Sequence, residues 1–133
     1  MNFLKQVFDI AVRYRGQLFS GVGITMLIAL SGTLAGLLIG LLTGVIRTAP
    51  LSRRKPLRVL HKILNGILAA YSEVFRGTPM MVQAMVIFWG FAFANGGQTL
   101  PLVPAGIVIV SINTGAYMAE IVRGGIISVD RGQ

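Results

Sequence analysis

The sequence predicts an all-α membrane protein: three transmembrane helices joined by amphipathic helices that lie at the interface. Three observations carry this. Mean hydropathy is +0.76 over 133 residues. Only 12% of the residues are charged, about half the share of a soluble domain, which leaves too little polar surface to cover a water-facing globule. The third is arrangement: long uncharged runs are flanked by Lys and Arg. A net charge of +8 would suit nucleic acid if the cations covered a soluble face, but here they border apolar runs, so no nucleic-acid partner is expected. The absence of cysteine excludes disulfides, thiolate metal sites and a thiol nucleophile. A single histidine argues against zinc chemistry, and no metal site or cofactor is expected in the chain.

The spans follow from the bilayer, whose core of about 30 Å takes about 20 apolar residues as a helix. Residues 1–20 form an amphipathic N-terminal segment with Phe3, Val7, Ile10 and Tyr14 on one stripe, interrupted by Lys5, Asp9 and Arg13. Those charges argue against a cleavable signal peptide. The uncharged window Gly16 to Ile46 holds the first span, placed at 21–46. Residues 47–76 are a basic loop with an interfacial helix, whose Leu57, Leu60, Leu64, Ile67, Leu68, Tyr71 and Phe75 recur at helical spacing. The window Gly77 to Ala119 is too long for one helix and divides at the turn-forming 95–101, Asn-Gly-Gly-Gln-Thr-Leu-Pro. This gives spans at 77–94 and 102–122, with Gly124-Gly125 expected to end the last helix and 123–133 beyond it. Seven Lys and Arg in 47–76 against none in 95–101 place the basic loop in the cytoplasm and the turn outside. The N-terminus then lies outside.

Some residues carry more than hydrophobicity. Gly32, Gly36, Gly40 and Gly44 repeat every fourth position of the first span and make a helix-packing seam. Glu73 and Arg76 are spaced to pair, followed by Gly77-Thr78 and by Pro79, which removes a backbone donor and is the expected hinge. Glu120 and Arg123 repeat that spacing after Asn113, Thr114 and Tyr117 have placed polar groups inside the third span. Such groups at membrane depth face a partner helix, water or substrate. His61, with no carboxylate or cysteine near it in sequence, reads as solvated or headgroup-facing. No GxxxxGK[ST] phosphate loop occurs.

Two stretches carry a resemblance. Glu73-Val74-Phe75-Arg76-Gly77-Thr78-Pro79-Met80-Met81-Val82-Gln83 resembles the ExFRGTPLLVQ-like stretch, and Asn113 through Ile126 the xxGAYxAExxRGGI stretch, of the permease subunits of bacterial ABC importers for polar amino acids, such as the glutamine, histidine and arginine uptake systems. The Gly-rich first span with Thr25, and Ser128 through Gly132-Gln133, are also similar to the family pattern. The resemblance implies the first three spans of a five-span permease in the bacterial inner membrane. It also implies a second permease subunit, identical or homologous, a cytoplasmic ABC ATPase that binds ATP, and an extracytoplasmic amino acid-binding protein. The chain itself is expected to be no enzyme. In the family the Gly-Gln at 132–133 is followed by the EAA coupling loop and two more spans, so the chain is expected to be incomplete as given. Glu73, Arg76, Thr78, Gln83, Asn113 and Tyr117 are the candidate walls of the substrate pathway. The competing reading is a small assembly protein whose glycine seam mediates oligomerisation without transport; an intramembrane enzyme is third, for want of a nucleophile and base.

Overall fold

The computed structural model describes residues 3–50 and 54–129. Arg53 of the basic loop, and Gly132-Gln133 with the rest of 130–133, lie outside the described residues. Among the described residues five helices follow in chain order: α1 (Phe3–Arg13), α2 (Arg15–Thr48), α3 (Lys55–Gly77), α4 (Met80–Ala94) and α5 (Leu102–Ser128). The chain is an all-α membrane protein.

Among the described residues two helices are long and apolar enough to cross a membrane, α2 and α5; α3 and α4 form a third candidate span only as a pair, bent by 108° at the break between them. The helix that contains the expected first span, 21–46, extends beyond it at both ends, from Arg15 to Thr48. With 34 residues, α2 is about 51 Å long, well beyond the apolar thickness of a bilayer, and every residue from Arg15 to Leu27 is exposed. The 77–94 segment is divided differently as well. Thr78 and Pro79 stand outside any helix, and the 15 residues of α4 reach only about 22 Å. At the other end α5 runs through Gly124-Gly125 to Ser128. Two helix-interior glycines disfavour the helix by only about 1 kcal/mol each, which is too little to stop it. The Asn95–Gly97 turn closes with Gly96 and Gly97 at φ of +64° and +92°, a region that side chains with a Cβ avoid.

Packing concentrates between α2 and α5, and small side chains make it. The buried residues of α2 are Gly32, Gly36, Gly40, Thr43 and Gly44, and those of α5 include Ala105, Ser111, Gly115, Ala116 and Ala119. A Cβ on Gly36 would lie 2.7 Å from Thr114 Cβ and 2.9 Å from the Ser111 carbonyl oxygen; on Gly40 it would overlap Met118 Cβ and sit 2.9 Å from the Ala119 nitrogen. In lipid, apolar side chains gain little by leaving apolar solvent, so close backbone approach supplies the attraction. Gly115 returns the contact, with Ile39 and the Tyr71 hydroxyl each 2.8 Å from where its Cβ would be.

Candidate functional site

The site grows out of the break between α3 and α4. A proline at position 79 lacks the N–H that would bond the Phe75 carbonyl four residues back, so α3 ends with acceptors that the helix itself does not satisfy. Side chains replace the missing donors. Gln83, in the first turn of α4 and only 8% exposed, donates its amide to the Phe75 carbonyl at 2.9 Å, and to the Thr78 carbonyl at 2.9 Å and hydroxyl at 2.8 Å. Thr78 in turn donates to the Val74 carbonyl at 2.8 Å. From α5, Asn113 donates to Gln83 Oε1 at 3.1 Å and to the Phe75 carbonyl at 3.3 Å. One hydrogen-bonded node thus holds three helices, and it consists of Thr78, Gln83 and Asn113 around the Pro79 break.

Tyr71 supports the node from one turn below. Its hydroxyl donates to the Ile112 carbonyl at 2.6 Å, and its ring lies 5.3 Å from that of Phe75. The inner side of the bend is a concavity of about 240 Å³ lined by Val74, Phe75, Thr78, Val82, Gln83, Val86 and Ile87.

The other candidate residues fall elsewhere. Arg76 does not pair with Glu73 among the described residues. Its guanidinium lies 5.7 Å from the centre of the Tyr117 ring, a cation–π contact to α5. Glu73 is exposed and takes no part in the node. The expected Glu73–Arg76 joint is thus replaced by two separate contacts to α5, one through Arg76 and one through the amides.

A second polar cluster gathers near the ends of α2 and α5. Glu120 accepts from Arg47 and, at 2.8 Å, from Arg123, and Arg47 also reaches the Ser72 hydroxyl at 3.3 Å. Ser72 is 1% exposed and donates to the Leu68 carbonyl, so Arg47 joins α2, α3 and α5 at one point. Spacing found the Glu120–Arg123 half of this cluster, but Arg47, 73 residues away, leaves no local signal. His61 differs too: its Nε2 lies 3.0 Å from the Ile46 carbonyl oxygen, tying α3 to the end of α2. Among the described residues no three of His, Asp and Glu stand close enough to share a metal ion.

The chain is similar to several known proteins. The chain is 39% identical over 70 residues to the glutamine transport system permease protein of Escherichia coli, covering 53% of this chain and 32% of that one. It is 38% identical over 85 residues to the L-cystine transport system permease protein of Bacillus subtilis, covering 64% and 32%. To a putative glutamine transport system permease protein of Rickettsia conorii it is 27% identical over 127 residues, covering 96% and 55%. A crystal structure of an amino acid ABC transporter with histidines superposes with a TM-score of 0.71 at 32% identity, covering 99% of this chain and 54% of that one. The chain thus spans between a third and about half the length of these relatives. Residues 36–133 match the family described as the binding-protein-dependent transport system inner membrane component, and the chain belongs to that family.

Proposed function

We propose that the chain forms part of the membrane translocation pathway of an ATP-driven importer of polar amino acids, as its permease component. The observation that carries this reading is the broken α3–α4 pair, held by Gln83 and Asn113, within the stretches that resemble amino acid permeases. Discontinuous helices give transporters free backbone groups and polar side chains near the substrate route, in surroundings where an intact helix offers neither. Thr78, Gln83 and Asn113 are the wall residues nearest such a route; Glu73, Arg76 and Tyr117 border it on the α3 and α5 surfaces, and Pro79 is its hinge. The names of the relatives, which specify glutamine and cystine, favour a zwitterionic cargo.

In this reading the protein is a multi-pass component of the bacterial inner membrane, with 47–76 in the cytoplasm and 1–20 and 95–101 outside. ATP is bound and hydrolysed by a separate cytoplasmic ATPase, an extracytoplasmic binding protein delivers the amino acid, and a second permease subunit, identical or homologous, completes the pathway. The assembly-protein reading loses its main support, because the glycine face it relied on is filled by α5 of the same chain.

The test is uptake by cells producing the protein from its native locus. Gln83→Leu is expected to reduce accumulation of at least one labelled polar amino acid by about tenfold, since it strands the Thr78 carbonyl and leaves the Phe75 carbonyl with Asn113 as its one side-chain donor, with the protein still present in the membrane. Unchanged uptake across a full panel of amino acids would overturn the proposal.

A further inference from the structure

We propose that Tyr71 is a positioning residue of the pathway, a peg on α3 that enters a notch in α5 and holds the Pro79 joint at one angle. The inference rests on the permease reading above for its consequence in transport, and the peg itself is tested without transport.

The spacing of residues brings the parts of the contact together. Tyr71 and Phe75 are four residues apart and share one face of α3. Opposite them on α5 stand Ile112 and Asn113, with Gly115 just beyond. Inside a helix the Ile112 carbonyl is the acceptor for the Ala116 N–H, but a carbonyl has two lone pairs and can take a second donor. The Tyr71 hydroxyl is that donor, at 2.6 Å. Its way in is open because residue 115 is glycine. A Cβ there would stand 2.8 Å from the hydroxyl oxygen and 2.8 Å from Ile39, so any side chain would have to displace both.

This bond is half of a reciprocal pair. Tyr71, a side chain of α3, donates to the backbone of α5, and Asn113, a side chain of α5, donates to the backbone of α3 at the Phe75 carbonyl. One such bond lets two helices pivot about it; two, a turn of α3 apart, fix the register. The pair is uneven, which decides its leading member. The Tyr71 bond is short at 2.6 Å, whereas the Asn113 bond at 3.3 Å is already at the long end of the effective range. A small rotation of α3 breaks the Asn113 bond first, and the Tyr71 peg resists that rotation. Its ring, 5.3 Å from that of Phe75, passes the constraint to the residue whose carbonyl Gln83 and Asn113 share. The residues that line the concavity at the bend do not include Tyr71, so its action on the pathway runs through the node.

Pulsed electron double resonance between two spin labels on the full chain provides the test. The sequence has no cysteine, and Gly66 on α3 and Gly90 on α4 have open space around them, so Gly66→Cys/Gly90→Cys takes labels without disturbing the packing. Diluted with unlabelled chain in bilayers, the pair is expected to give one narrow distance. Tyr71→Phe keeps the ring and removes only the donor, and should widen that distribution about twofold as the joint loosens. Tyr117→Phe, which removes a hydroxyl from α5 close by, should leave it narrow. In cells Tyr71→Phe should lower uptake about fivefold, the equivalent of one hydrogen bond, with the protein still present in the membrane. A distribution as narrow in Tyr71→Phe as in Tyr117→Phe would overturn the proposal, as would a broad one before either change or uptake unaltered by Tyr71→Phe. Absence of uptake by the native chain would count against the permease reading alone, because the distances still decide the peg.

Discussion

Arg47 sits at the end of a long apolar helix where a cation is ordinarily an interfacial anchor, yet its side chain is only 15% exposed and turns inward to Glu120 and Ser72. A half-buried carboxylate between two guanidiniums is a different object from a surface ion pair, because desolvation raises the cost of leaving either charge alone. In Arg47→Ala, Glu120 keeps Arg123, so the loss is expected to be smaller than for a fully orphaned charge. A double-mutant cycle of Arg47→Ala with Glu120→Gln, read by thermal unfolding in detergent, should give a coupling of about 1–3 kcal/mol. A coupling within error of zero would mean that Arg47 acts as a plain anchor. The cluster also marks how much of the site was legible. Spacing of three residues proposes Glu120–Arg123 and Glu73–Arg76 alike, and only the first pair forms. The local pattern is identical, and what separates them is burial beside a residue from another helix, which no window of sequence contains. The Gln83–Asn113 bond was invisible for the same reason, although both residues stand out as amides within apolar runs.

Among the elements, the glycine face of α2 is where local sequence says most. Four glycines at a constant four-residue step must share one side of a helix, and a bare helix side in lipid must be filled by another backbone. That the filler is α5 of the same chain follows only from the three-dimensional arrangement. Rigid backbone atoms of Gly115 and Ala119 stand 2.9 Å from a Cβ on Gly40, so this position has little room to yield. Gly36→Leu and Gly40→Leu are each expected to destabilise the fold by about 1–3 kcal/mol, as overpacking does. The neighbouring Leu37→Phe and Leu41→Phe, at half-exposed positions, should stay within about 0.5 kcal/mol. Comparable loss of thermal stability in both sets would show that the seam carries no special packing. The α3–α4 element was half legible. Pro79 announced a break, but hydropathy counted Gly77 and Thr78 into the span and gave no sign of the 108° bend, because an apolar window is blind to direction.

At the scale of the molecule the bend between α3 and α4 governs which side of the membrane each connection occupies. Leu30, Leu34, Leu38 and Leu42 form an outward stripe on α2, each more than 60% exposed, as a lipid-facing or subunit-facing surface requires. If α2 crosses, residues before and after it lie on opposite sides. The α3–α4 pair either crosses as one broken span or turns back as a re-entrant loop. Crossing is the outcome expected from charge: Arg47, Arg53 and Arg54 precede the pair and Lys55, Arg58, Lys62 and Arg76 lie within α3, against no cation in 95–101, the asymmetry that orients spans. The uncharged Asn95–Gly97 turn would also meet no anionic leaflet attraction if it stayed inside. Because the chain has no cysteine, single substitutions report directly. Lys5→Cys and Gln98→Cys are expected to react with an impermeant thiol reagent in intact cells, and Arg58→Cys only after the membrane is opened. Reaction of Lys5→Cys alone would make α3–α4 a re-entrant loop with the 95–101 turn in the cytoplasm, and would move the Gln83 node from a pathway wall to the lining of a cytoplasmic vestibule.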